Sequence, residues 1–134
     1  MSGLVIKLAP NERILINGAV LENGEKRSRF SIKTPDANIL RLRDAIHPDQ
    51  ANTPVARACY TAQLILAGDL DPAEGRQILL REIEALSQVF DDRDSRALID
   101  GASAAAVAGN AYQALRGLRA LLPREARLFA SLRQ

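Results

Sequence analysis

Hydrophobic and polar positions alternate along the first 45 residues, which is typical of half-buried strands. The runs 4–8 and 26–32 alternate, and the run 13–16 is apolar and β-branched. In the run 26–32, Phe30 and Ile32 share the parity that we expect to face the core. Asn17-Gly18 and Asn23-Gly24 both suit tight turns, but they are too close together to close two full hairpins, so one is expected to form a bulge or a corner. We therefore predict three to five strands in a small twisted sheet.

From residue 54 onward, apolar residues recur at helical spacing. Thr53-Pro54 and Asp71-Pro72 each pair a capping residue with a proline at the first helical position. The Ala-rich segment 98–107 predicts a third helix, capped by Asp94 or Ser95, that allows a neighbouring helix to approach closely. A fourth helix is expected to break at Pro123, which would leave residues 124–134 as a fifth short helix or a frayed tail.

The order of these elements, strands first and helices after, predicts an α+β fold. It consists of a small twisted antiparallel β-sheet at the N-terminus, followed by an α-helical lobe of four to five helices. We predict a β domain over residues 1–45 and a polar, proline-containing linker over 46–53. The helical lobe over 54–134 is then expected to pack on the sheet or on itself.

Composition narrows the class of protein. The single cysteine excludes an internal disulfide, and no apolar run among the 134 residues approaches the roughly 20 that a membrane helix needs. The start of the chain lacks the features of a secretion signal, so we expect a cytoplasmic protein with no membrane partner. His47 stands alone in the linker, and Cys59 lies on an apolar helix face. We predict no catalytic residues, no cofactor and no metal site, and hence no enzyme.

Charge is unevenly distributed. Residues 1–47 carry a net +3, residues 48–109 a net −5 and residues 110–134 a net +4. Such asymmetry arises either from an anionic partner or by chance.

The most specific basic feature follows the second Asn-Gly turn. Alternate residues of one strand lie about 6.5–7 Å apart, close to the phosphate repeat of a single nucleic-acid strand. We therefore predict a nucleic-acid surface on the sheet; the other interpretation is a solvated edge strand that charge protects from aggregation. The candidate RNA-binding residues are Lys26, Arg27, Arg29, Arg41 and Arg43.

A second basic group lies near the C-terminus, where Arg116 and Arg119 are one helical turn apart and Arg124 and Arg127 follow. This group is a solvated helix face, a site for an acidic partner, or a set of intramolecular partners for the acidic region 69–94. We favour the intramolecular interpretation and keep Arg116 and Arg119 as candidate partner-binding residues.

The sequence also resembles a known family over roughly residues 4–122. The resemblance is carried by Leu8, Pro10, Glu12-Arg13-Ile14, Ile16-Asn17-Gly18-Ala19-Val20, Asn23-Gly24, Ile39-Leu40-Arg41, Thr53-Pro54, Arg57 and Gln63. This pattern is similar to FlbT, the flagellum biosynthesis repressor family of alphaproteobacteria, and its run from Glu12 to Ala19 is the most specific part.

The resemblance implies a post-transcriptional regulator of flagellin expression. Members of that family associate with the 5′ untranslated region of flagellin mRNA and promote its decay when assembly stalls, although some members activate. They work alongside the small flagellar protein FlaF, and no catalytic residues are established for them. The alternative is an interaction adaptor whose helices 97–122 bind FlaF or flagellin and affect the mRNA only indirectly. In either case the helices are expected to dock a partner or to form a homodimer or higher oligomer.

Overall fold

The computed structural model describes residues 4–17, 19–34, 37, 39–41 and 46–132. The strands are β1 (Leu4–Leu8), β2 (Arg13–Ile16), β3 (Ala19–Glu22), β4 (Ser28–Ile32) and β5 (Ile39–Arg41). A 3₁₀ turn (Pro48–Gln50) precedes the helices α1 (Pro54–Ala67), α2 (Pro72–Leu86), α3 (Arg93–Val107) and α4 (Ala111–Leu132). The order of elements confirms the predicted α+β class. The chain divides into two compact units, residues 1–45 and 46–134.

The strands form two small antiparallel sheets rather than the single sheet we predicted. One sheet pairs β1 with β4, and the other has the order β3-β2-β5. Ile16 pairs with Ala19, and Asn17 has a φ of 48°, so the first Asn-Gly signal closes a hairpin as expected; Gly18 itself lies outside the described residues. The second signal forms the predicted corner, because β4 leaves β3 and pairs with β1 instead.

Asn23 holds this corner together. Its side chain is buried, and its amide nitrogen donates to the carbonyls of Ala9 at 2.8 Å and Lys26 at 3.0 Å. Its backbone N–H donates to the Glu12 carbonyl at 2.8 Å. The Asn23 side chain therefore links the turn after β1 to the turn before β4. It provides hydrogen-bond partners for the backbone carbonyls of both turns.

The core of the β unit is small and aliphatic. Ile6, Leu8 and Ile14 are buried, and three partly buried isoleucines pack against them: Ile16, Ile32 and Ile39. Phe30 shares the parity of Ile32 but remains 42% exposed, so the strand is less buried than its alternation predicted. Its cross-strand partner is Ile6, at the middle of a ladder that has only two strands, so few neighbouring side chains are available to cover a large ring.

The helical unit is built from four helices that pack side by side. The largest contacts join α4 to α1 and α3, and α2 to α1 and α3. Gly117 on α4 faces Ala102 on α3, where an added Cβ would lie 3.5 Å from the Ala102 Cβ. This close approach of small residues is what the alanine-rich segment predicted.

Two helix starts agree with the sequence, and one differs. Thr53 and Asp71 cap α1 and α2, each ahead of its proline. The cap of α3 is Asp92, so the expected cap at Asp94 or Ser95 was wrong. The Asp92 carboxylate accepts the Ser95 N–H at 3.0 Å, and this hydrogen bond lowers the pKa of Asp92. Ser95 is buried, and its backbone N–H is the donor of this capping hydrogen bond rather than its side chain being the cap.

The predicted break at Pro123 was also wrong, because α4 continues through it to Leu132. Pro123 is exposed, whereas Glu125 beyond it is buried. The Glu125 carboxylate accepts the Thr53 hydroxyl at 2.6 Å and the Val55 N–H at 2.9 Å. These bonds place a negative charge at the N-terminus of α1, which is favourable. The local cost of proline is offset by contacts with a helix some 70 residues earlier in sequence.

Candidate nucleic-acid interface

A groove with a volume of about 550 Å³ lies on the β unit, beside the ladder of β1 and β4. Its lining is mostly polar and carries four of the unit's cations. The lining residues are Lys7, Leu8, Ala9, Glu12, Arg27, Ser28, Arg29 and Arg41. Three of the five predicted RNA-binding residues, Arg27, Arg29 and Arg41, are therefore brought together in one groove.

The ladder explains how these side chains meet. Lys7 on β1 lies directly opposite Arg29 on β4, and residues directly opposite in an antiparallel pair share a face. Arg27 comes just before β4 and has the same parity as Arg29. All three residues are exposed, and across the described part of the chain no ion pair or hydrogen bond engages their charged groups.

Arg41 is held differently. Its Nε donates to Glu12 Oε2 at 2.8 Å and its Nη2 to Glu12 Oε1 at 3.2 Å, and Nη2 also donates to the Lys7 carbonyl. The Glu12 side chain is only 6% exposed, and it also accepts the Ala9 N–H at 2.9 Å. Because Glu12 neutralises Arg41 and holds its guanidinium in place, Arg41 builds the groove and adds little net charge.

The other two predicted residues are not part of the lining. Lys26 is exposed in the turn before β4 and contributes its carbonyl to the corner at Asn23. Arg43 lies outside the described residues. Lys7, which sequence reasoning did not select, lines the groove instead. Its alternation within 4–8 was visible in the sequence, but its position beside Arg29 depends on the non-local pairing of β1 with β4.

His47 and Cys59 are the two residues that we considered and rejected as catalytic candidates. His47 is exposed, and its Nδ1 accepts the Asp49 N–H at 3.1 Å. Cys59 is fully buried on α1, and burial raises the pKa of its thiol to about 12 despite the nearby Arg119 charge. Within the ranges that the structure describes, no cluster of three or more potential metal ligands is found.

The C-terminal arginines lie on α4. Arg116 is exposed, and Arg119 is partly buried. Arg124 reaches the acidic region, where its Nη1 lies 3.3 Å from Asp92 Oδ2 and 3.4 Å from Ser95 Oγ. The intramolecular interpretation is thus confirmed for Arg124.

The helical unit carries one apolar pocket of about 250 Å³, separate in sequence from the basic groove. It lies where the ends of all four helices meet, with Arg76 as its charged residue. Its other lining residues are Ile65, Pro72, Ala73, Leu79, Ala106, Gly109 and Ala111. No helix among the described residues is both long enough and apolar enough to cross a membrane.

The fold and the groove together define a small α+β protein with a basic groove on its β unit. The chain belongs to the FlbT family: it matches the model described as flagellar protein FlbT over residues 4–129. That description designates a flagellar protein and names no catalytic activity.

The similarity to individual relatives covers nearly the whole chain. A protein from Rhodopseudomonas palustris strain TIE-1 is 35% identical over 127 residues, which is 95% of this chain and 98% of the relative. One from Allorhizobium ampelinum strain S4 is 32% identical over 95% of this chain and 84% of the relative. Both are called probable flagellum biosynthesis repressor protein FlbT. No solved structure matches the chain.

Proposed function

We propose that this protein regulates flagellum biosynthesis after transcription, by binding the 5′ untranslated region of flagellin mRNA and promoting its degradation. The flagellar role is supported by the family and by the repressor name of its relatives. RNA contact is supported by one observation above all: Lys7, Arg27 and Arg29 line a single groove, and no described residue forms an ion pair with them.

The chemistry of the groove suits a phosphate backbone. Guanidinium and ammonium groups bind phosphate oxygens through charge-assisted hydrogen bonds. Aromatic side chains are absent from the lining, so base stacking within the groove is not part of the proposal. Lys26 extends the positive surface toward solvent, and Arg41 positions the groove wall. The cytoplasm is the compartment that this function requires.

The test is direct binding of the purified, nuclease-treated protein to a flagellin leader RNA and to a scrambled RNA of the same composition, over a series of salt concentrations. We predict leader-selective binding. The Arg27→Ala/Arg29→Ala double variant is expected to lose that binding while keeping its circular dichroism spectrum and melting temperature. Its residual log–log salt slope should be smaller by about 1.4, because each phosphate contact on a single strand contributes about 0.7.

The matched control removes the same charge elsewhere. Arg81 and Arg93 are exposed on the helical unit and do not line the groove. The Arg81→Ala/Arg93→Ala variant should bind the leader like the wild type. Equal losses in both double variants would mean that net charge, rather than the groove, carries the affinity.

The second candidate function is an adaptor that binds FlaF or flagellin, with only an indirect effect on mRNA. The apolar pocket between the helix ends favours it, since a pocket of about 250 Å³ can take an apolar side chain of a partner helix. Arg116 and Arg119 would then contact acidic residues of that partner. Co-purification that survives nuclease and high salt, together with no selective leader binding, is the result that this function predicts.

A further inference from the structure

The β unit places like charges opposite one another. On the β2–β3 ladder, Arg13 faces Glu22 and the two form an ion pair at 2.7 Å. On the β1–β4 ladder, the corresponding cross-strand pair is Lys7 with Arg29. Side chains at directly opposite positions have Cβ atoms about 4.5–5.5 Å apart, and like charges there are destabilising. Among the described residues, the β2–β3 ladder thus carries a favourable cross-strand pair of charges and the β1–β4 ladder an unfavourable one.

Within the described ranges, no ion pair to Lys7 or Arg29 compensates for the unfavourable pair. The acidic residue of the lining is Glu12, whose carboxylate accepts hydrogen bonds from Arg41 and from the Ala9 N–H. Arg27 adds a third cation on the same wall. The like charges of Lys7 and Arg29 therefore repel each other across the ladder, and an anion between them would reduce that repulsion.

The shape of the groove selects among anions. One wall presents Lys7, Arg27 and Arg29 along neighbouring strands, and Arg27 and Arg29 are two residues apart, close to the spacing of successive phosphates on one strand. A-form duplex RNA instead displays its two backbones on either side of a wide, shallow minor groove. The cations of the groove are gathered on one ladder, which suits one extended strand better than the two separated backbones of a duplex.

We infer that Lys7 is a third phosphate-binding residue, and that the groove takes one unpaired RNA strand whose phosphate lies between Lys7 and Arg29. This inference rests on the proposed function and adds to it a residue and the class of RNA. A phosphate-binding role for Lys7 predicts an effect of substitution that a purely structural role does not predict. Replacing Lys7 should stabilise the free protein and weaken RNA binding at the same time.

The test compares Lys7→Gln and Lys7→Glu with Lys33→Gln, which removes an exposed lysine just beyond β4 that does not line the groove. At low salt, Lys7→Gln should raise the melting temperature by about 1–4 °C. Lys7→Glu should raise it further, because it recreates opposite charges across the ladder. Both gains should shrink as salt is added, since screening weakens the repulsion in the wild type.

The binding probes are a 15-residue oligouridylate and its duplex with oligoadenylate. Wild-type protein should bind the single strand at least tenfold more tightly than the duplex. Lys7→Gln should weaken single-strand binding about 3–10-fold and reduce the salt slope by about 0.7. Lys33→Gln should change neither the melting temperature nor the affinity.

The outcomes separate the two levels of inference. Equal behaviour of the Lys7 and Lys33 variants, or equal affinity for single strand and duplex, overturns the inference and leaves the proposed function standing. Binding of the flagellin leader without binding of oligouridylate has the same meaning. If neither RNA is bound by the wild type, the proposed function fails and the inference fails with it.

Discussion

At the residue scale, the same side-chain chemistry has different consequences in different surroundings. Arg41 is held by Glu12 through two hydrogen bonds, whereas Arg29 faces Lys7 and is exposed. Both are arginines of the β unit, and both line the groove. Since Glu12 already neutralises Arg41, the proposed function assigns phosphate binding to Arg29 and construction of the groove wall to Arg41.

Cys59 shows how burial changes the chemistry of a side chain. Burial raises the pKa of its thiol to about 12, well above its ordinary value near 9. Between these values the unfolded chain loses the proton while the folded chain keeps it, so stability is complete below pH 9 and declines as pH rises toward 12. The expected slope for one proton is about 1.4 kcal/mol per pH unit.

The measurement is the unfolding free energy of wild type and Cys59→Ala from pH 8 to pH 11. We expect the difference between the two proteins to narrow as pH rises, because the variant lacks the thiol. Native wild type should also resist alkylation by iodoacetamide at pH 8 and react only after unfolding. Rapid alkylation of the folded protein would show that Cys59 is accessible and would remove the basis of the predicted slope.

At the element scale, two glycines within helices show that local packing decides whether a substitution by alanine stabilises or destabilises the protein. Gly101 on α3 has open space around it, so an added Cβ meets nothing within 4 Å. Gly75 on α2 is buried, and an added Cβ would lie 2.6 Å from Ile65 Cγ1 and 2.9 Å from Ile65 Cδ1. The same substitution should therefore have opposite effects at the two positions.

We predict that Gly101→Ala stabilises the protein by about 0.5–1 kcal/mol, because alanine restricts the unfolded chain and favours the helix. Gly75→Ala should destabilise it by about 1–3 kcal/mol, since Ile65 must move out of a packed position. Chemical denaturation of the two variants measures both values. Stabilisation by Gly75→Ala would mean that α1 and α2 are less closely packed than described.

The elements also show which features can be predicted from sequence. The starts of α1 and α2 follow from Thr53-Pro54 and Asp71-Pro72, because capping is decided by adjacent residues. The division into two sheets does not, since it depends on Asn23 joining two turns across 14 residues of chain. The continuity of α4 through Pro123 depends on Glu125 reaching α1, which no local rule includes.

The candidate site, like the fold, could be predicted only in part from the sequence. Arg27 and Arg29 could be identified from the sequence because they lie two residues apart in one predicted strand. The pairing of Arg41 with Glu12 spans 29 residues, and the position of Lys7 depends on the strand partner of β1. Sequence therefore indicated the basic character of the surface, whereas the tertiary pairing decides which cations can bind a ligand.

At the scale of the whole molecule, the two units carry surfaces of different character. The β unit has a polar groove lined by four cations, and the helical unit has an apolar pocket lined by one arginine. The family assignment covers both units, since the match extends over residues 4–129. We propose that the β unit binds RNA and that the helical unit is available to bind a protein partner.

The most direct test is to locate the RNA on the intact protein by NMR. The isotope-labelled full chain would be titrated with a flagellin leader RNA while the backbone amide signals are followed. We predict that the largest changes fall on residues 7–9 and 27–29, and that α2 and α3 change little. Changes confined to the helical unit, or no change at saturating leader RNA, would contradict the claim that the basic groove is the RNA-binding site.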